Sequence, residues 1–318
     1  MNGNPAKIEI FAPFQTAYEW MKTMLFRPFD IAKWLTVAFA AFLSGNLGGG
    51  ANFGRLGRLG GGDWRYSATK HGDLPADWNF LTWGIALLVI VVLFAIALAV
   101  VWMWVASRGR FIFTDCLVKQ RGAIVEPWRE FRREGNSYFL FSLAVAFAMV
   151  MATIIVVVIA WALFAMLSGG ENARAGAVAV FVVVLIFLGL LWLLLVLFFA
   201  LVSHFMVPVM YRRRCSAREA FLDVTKLIFR QPVPFILFVL FGIVLALAVA
   251  VIGTTIACLT CCVGGLPYIS TVLLLPAIVW LAAFRLMFFR QFGDQYDVWA
   301  VAAPAAPAIE PSSPNPPV

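Results

Sequence analysis

The chain has 318 residues, 63% apolar, 15% aromatic and 13% charged, with 24 basic and 16 acidic residues and a net charge of +8. A soluble domain carries about a quarter of its residues as charges, so the composition excludes an ordinary soluble protein and points to a bilayer. The positive excess suits an anionic lipid surface, and no nucleic-acid partner is expected.

The first element in chain order is an amphipathic helix over residues 10–27. Phe14, Tyr18, Met21 and Leu25 recur at helical spacing opposite Gln15, Glu19 and Lys22, a pattern that lays a helix in the membrane interface. A short apolar run follows and predicts a first span at about 31–47. Glu9, Glu19 and Asp30 precede it, so it does not read as a cleavable signal peptide. The glycine-rich stretch 48–62 lacks the Gly-Lys-Ser/Thr ending of a phosphate-binding loop and follows no strand. It reads as a flexible external loop.

Trp78 to Ser107 is a run of 30 residues without Asp, Glu, Lys or Arg. It predicts a second span at 79–106, since roughly 20 apolar residues cross about 30 Å of hydrocarbon. The connection after it is the most densely charged part of the chain. Ile124, Trp128 and Phe131 form an apolar stripe there among Arg129, Glu130, Arg132 and Arg133. Glu126, Glu130 and Glu134 are spaced i, i+4, i+8 beside arginines, the pattern of a solvated, salt-bridged face.

Uncharged runs of 36 and 37 residues, Gly135–Gly170 and Ala175–Tyr211, predict spans at 138–167 and 176–203. His204 follows, with no acidic residue near it in sequence, and reads as a packed or interfacial residue. Ser216-Ala217-Arg218-Glu219 has the form of a capping box, followed by the stripe Phe221, Val224 and Ile228. The run Gln231–Phe284, 54 residues long, must hold two spans, placed at 234–262 and 267–288. The sequence Cys262-Val263-Gly264-Gly265-Leu266-Pro267 marks the turn between them.

Cys258, Cys261 and Cys262 at the end of the fifth span offer superficial metal or redox spacing. A helix C-terminus disfavours a thiolate, and residues three or four apart on a helix hold their Cβ atoms too far apart for an unstrained disulfide. Packing as small apolar residues is the first reading, with metal, disulfide and acylation as alternatives. No cofactor is expected. Residues 301–318, Ala- and Pro-rich with Glu310 as the one charge, read as a disordered cytoplasmic tail.

Backbone in lipid must be satisfied by helices or a closed barrel, and these continuous apolar runs lack barrel alternation. The fold class is therefore all-α: a polytopic membrane helical bundle over residues 1–300, with six transmembrane helices and three cytoplasmic interfacial amphipathic helices. Phe26-Arg27-Pro28-Phe29 and Phe229-Arg230-Gln231-Pro232 end two of those helices alike. This suggests three units, each an interfacial helix followed by a hairpin. Nineteen of the Lys and Arg residues fall on one face of this topology and five on the other, which puts both termini in the cytoplasm.

Arg108-Gly109-Arg110-Phe111-Ile112-Phe113-Thr114-Asp115, Glu126-Pro127-Trp128-Arg129-Glu130-Phe131-Arg132-Arg133-Glu134-Gly135-Asn136-Ser137, Leu266-Pro267-Tyr268-Ile269 with Leu274-Leu275-Pro276, and Gln291-Phe292-Gly293-Asp294-Gln295-Tyr296 resemble an uncharacterised bacterial multi-pass membrane protein family. That family is similar to the membrane domain attached to some glycerophosphodiester phosphodiesterases. The likeness runs from Phe26 to about Trp299 and implies a bacterial inner-membrane protein. It carries over no catalytic residue, and the soluble phosphodiesterase barrel is absent.

These readings favour a non-catalytic membrane protein, not an enzyme, since no nucleophile and base constellation is present. It would dock anionic lipid headgroups or a membrane-protein partner through Arg108, Arg110, Trp128, Arg129, Arg132 and Arg133, with arginines as forked donors to phosphate. The plainer reading of the same arginines is that they hold the loops inside. The alternative function is a permease or channel for a substrate needing no buried charge, which a cavity between the spans would favour.

Overall fold

The computed structural model describes residues 8–45, 78–167, 174–259 and 267–301. The glycine-rich stretch 48–62, the turn at 262–267 up to Leu266, Cys261, Cys262 and the tail beyond Val301 lie outside the described residues. Within the described residues the chain is helical, with no strand. The helices are α1 (Phe11–Phe26), α2 (Ile31–Leu43), α3 (Trp78–Val118), α4 (Val125–Glu130), α5 (Arg132–Leu167), α6 (Arg174–Arg213), α7 (Ala217–Arg230), α8 (Pro232–Leu259), α9 (Pro267–Leu273) and α10 (Leu275–Arg290). Two 3-10 turns, Asp294–Tyr296 and Val298–Val301, follow.

Local chemistry sets several boundaries. The Asp30 carboxylate accepts the Ala32 N–H at 2.8 Å and starts α2, and the Ser216 hydroxyl accepts the Glu219 N–H at 3.4 Å at the start of α7, as N-caps do. Pro232 opens α8, and Pro276 lies in the first turn of α10, where a missing N–H costs nothing. α4 ends at Phe131, so Glu126, Glu130 and Glu134 do not share one continuous helix.

Four helices are long and apolar enough to cross a membrane: Ile85–Val118, Arg132–Ala165, Phe181–Arg213 and Pro232–Ile256. With 41 residues α3 is about 60 Å long, twice the hydrocarbon thickness. Its helix does not stop at Ser107 but runs on through Arg108-Gly109-Arg110 to Val118, because a single glycine costs a helix only about 1 kcal/mol. α6 likewise continues through Pro208 to Arg213.

The outer parts of these four helices expose Leu87, Phe94, Phe147, Trp161, Phe187, Leu191, Leu240 and Leu247 among many others. Bare apolar surface on that scale marks contact with lipid or another apolar partner. The buried core lies at the charged ends of the same helices. It joins residues 111–113 and 116–118 of α3, Tyr138 of α5, Val202 and residues 205–207 and 209–211 of α6 and Phe235 of α8 to the apolar faces of α1, α2, α7 and α10.

α2 has 13 residues, and α9 and α10 have 7 and 16 with a break at Leu274, so each alone is shorter than a span. They pack into this base. Trp34 Nε1 donates to the Val272 carbonyl at 3.3 Å, and Trp280 Nε1 donates to that of Phe14 at 3.1 Å. The end of α2 packs on α3 at Gly109, where an added Cβ would stand 2.6 Å from the Leu43 carbonyl carbon.

The amphipathic patterns find apolar partners. Ala17, Met21, Met24 and Leu25 of α1 are buried, as are Ala217, Ala220, Val224 and Ile228 of α7. Of the expected stripes, Met21, Leu25, Val224, Ile228 and Phe131 are buried, while Tyr18 is exposed.

Candidate functional site

The Arg108-Gly109-Arg110 segment organises the base. Arg108 is 7% exposed, donates to Asn136 Oδ1 at 2.8 Å, and lies 4.3 Å from the Trp104 ring and 5.0 Å from the Trp128 ring. Its charge is thus held by cation–π and amide contacts. Gly135 makes room for it, since a Cβ there would meet Arg108 Cγ at 2.9 Å. Gly109 admits the backbone of α2, which brings the Ser44 carbonyl to 3.4 Å from Arg110 Nε. Arg110 also donates to the Tyr138 hydroxyl.

Asp115, one turn further along α3, has no solvent exposure. It accepts from the Tyr211 hydroxyl at 2.9 Å, from Lys119 at 2.7 Å and from Arg121 at 3.4 Å. Arg121 continues to Glu126 at 2.8 Å, and that hydrogen bond, reinforced by Asp115, raises the Arg121 guanidinium above its ordinary value. Lys119 lies 3.6 Å from Glu130, Arg214 pairs with Glu130, and Arg214 lies 3.8 Å from Glu134. Phe131, at the break between α4 and α5, stacks on Tyr211 at 4.9 Å and on Phe111 at 5.8 Å, with the Arg214 guanidinium 3.9 Å from its ring. Four carboxylates and three cations thereby tie together the ends of α3, α4, α5 and α6.

Against this network the other predicted residues separate clearly. Arg129, Arg132 and Arg133 are exposed, and among the described residues none of them forms an ion pair or hydrogen bond. Trp128 is partly buried against Trp104 at 5.9 Å. Of the six expected binding residues, three are therefore free cations, Arg108 and Trp128 pack on each other, and Arg110 faces a cavity.

That cavity, about 250 Å³, is lined by Ser44 and Gly45 at the end of α2, Arg110 of α3, Ser203, His204 and Val207 of α6, and Arg285 of α10. Among the described residues no Asp or Glu lines it. Arg285 makes no hydrogen bond or ion pair among the described residues, and its Nε is buried without a partner. Arg285 did not stand out in the sequence, where it counted only toward the positive face. Its signal was its setting, an arginine between Ala282-Ala283-Phe284 and Leu286-Met287-Phe288 inside an apolar helix, where an unmatched charge is costly. His204, read as packed or interfacial, is exposed and lines this cavity.

Cys258 is a free, exposed thiol on α8. Among the described residues no three His, Cys, Asp or Glu side chains converge as a metal-holding group. No curated protein and no solved structure matches the chain. Four of the helices around these sites have the length and apolarity of membrane spans, and residues 9–306 match one family model: this membrane protein belongs to the family of unknown function DUF7544.

Proposed function

We propose that this protein is a non-catalytic membrane module that gathers anionic lipid headgroups through the basic face of α4 and the start of α5. One observation carries the reading. In this segment every carboxylate, Glu126, Glu130 and Glu134, is already engaged by Arg121, Lys119 or Arg214, while Arg129, Arg132 and Arg133 are exposed and have no ion pair among the described residues. The free positive charge is therefore concentrated in three neighbouring guanidiniums, and forked donors of this kind suit phosphate oxygens. Arg108 and Trp128 serve this face by packing, not by touching lipid.

In this proposal the base faces the cytoplasm of a bacterial inner membrane, with both termini on that side. Six crossings give that result, the four long helices with α2 and the α9–α10 pair, because the chain must cross once before α3 and once after α8 for α1 and α10 to meet the α3–α5 connection on one face. A resemblance to phosphodiesterase membrane domains would fit a lipid-facing module and adds no residue to the site. The competing expectation was a permease for a substrate needing no buried charge. A cavity is present, as that reading expects, but Arg110 and Arg285 line it, which suits an anion and not a substrate needing no buried charge.

The test is the enrichment of phosphatidylglycerol over phosphatidylcholine around the reconstituted full chain, read by native mass spectrometry in mild detergent. An interfacial charge contributes about 1 kcal/mol near an anionic surface, so replacing Arg129, Arg132 and Arg133 by Gln should remove most of the enrichment at low salt. Unchanged enrichment in the triple variant would refute the reading and leave these arginines to topology.

A further inference from the structure

We infer that the cavity between the end of α2, α3, α6 and α10 is a binding site for a phosphate group, separate from the basic surface. Two guanidiniums, Arg110 and Arg285, share its wall, and no carboxylate among the described residues lines it. Elsewhere in the base the buried acids are matched to cations: Asp115 to Lys119 and Arg121, and Glu134 to Arg214. A buried charge is retained only when something pairs it, and like charges sharing a site of low dielectric repel one another. No acid among the described residues fills this role for Arg285, and a bound anion would.

The donors fit that anion. Arg285 makes no hydrogen bond or ion pair among the described residues, and its Nε is buried and unpartnered. The Ser203 hydroxyl and the His204 ring, on the same wall, make no hydrogen bond among the described residues either. Arg110 is held in place by the Ser44 carbonyl and the Tyr138 hydroxyl, so its fork is already oriented. Two arginine forks with a hydroxyl and an imidazole supply more donors than the two oxygens of a carboxylate need, and match the three or four oxygens of a phosphate. A cavity of 250 Å³ equals about eight water volumes, below the roughly 300 Å³ of the smallest organic-ligand pockets. It holds a phosphate and the first atoms of its ester. Lipid phosphomonoester and free phosphate share this chemistry.

The experiment uses the full chain in phosphate-free detergent buffer. One arm titrates inorganic phosphate by calorimetry. The other counts adducts of phosphatidic acid, against diacylglycerol of the same chains, by native mass spectrometry. One bound equivalent of inorganic phosphate is expected, or one equivalent of phosphatidic acid beyond those the basic surface gathers, and phosphatidic acid alone would assign the lipid source. A lost charge-assisted contact weakens binding by about ten-fold or more, which is the effect expected of Arg285→Gln. Ser203→Asp supplies an internal carboxylate to both arginines, so it should raise the unfolding midpoint of the ligand-free protein and abolish phosphate binding even if Arg285→Gln does not fold. The triple Gln variant at Arg129, Arg132 and Arg133 should keep this single equivalent, which separates the cavity from the surface. No binding of either probe to the unaltered chain, or equal binding by Arg285→Gln and Ser203→Asp, overturns the inference.

Discussion

Gly109→Ala isolates the contact on which the base is assembled. An alanine Cβ at this position would stand 2.6 Å from the Leu43 carbonyl carbon, 2.8 Å from its oxygen and 2.8 Å from the Ser44 nitrogen. All three atoms are backbone, so no side chain can rotate aside, and either α2 or α3 must shift. Overpacking of a core costs about 1–3 kcal/mol, and a clash with rigid backbone belongs at the upper end. Alanine regains about 1 kcal/mol of helix propensity over glycine, which leaves a net loss of about 2 kcal/mol. Gly189 and Gly242 provide the control, because a Cβ at either meets nothing within 4 Å. Gly189→Ala and Gly242→Ala should leave stability unchanged or raise it by up to about 1 kcal/mol. Unfolding of the detergent-purified chain by added dodecyl sulfate, followed by tryptophan fluorescence, reads all three. If Gly109→Ala is as stable as the unaltered protein while the two controls behave as stated, the close approach of α2 to α3 does not hold the base together.

Asp115→Ala should cost about 3–5 kcal/mol in the same unfolding assay, because it strands Lys119 and the Tyr211 hydroxyl around a buried site; a loss under 1 kcal/mol would show that the network is dispensable. Burial raises the Cys215 thiol above its ordinary value. Only the thiolate reacts, so iodoacetamide should label Cys215 more slowly than a free thiol at pH 8, with the rate still climbing above pH 9; labelling at the free-thiol rate would contradict that environment. Reporter fusions at Asn172 and Pro304 should report opposite sides of the membrane, the second cytoplasmic, and the same side for both would overturn the proposed orientation.

The properties set by neighbours in sequence were legible in the residues. Uncharged runs of 30 residues or more satisfy their backbone in lipid only as helices, so α3, α5, α6 and α8 follow from run length. The Ser216 cap and the apolar face of α7 follow from spacing, because a cap and an amphipathic stripe are local properties. What the arginines do was not legible, since pairing depends on which distant groups the fold brings close. Asp115 finds Tyr211 96 positions away, Arg214 reaches Glu130 across 84, and Arg110 and Arg285 come to one cavity from helices far apart in the chain. Arg108, Arg129 and Arg285 look alike as letters in a basic protein. Only tertiary packing stacks the first on two tryptophans, leaves the second free at the surface and strands the third without a counter-ion, because desolvation and Coulomb pairing are decided by three-dimensional neighbours and not by sequence position.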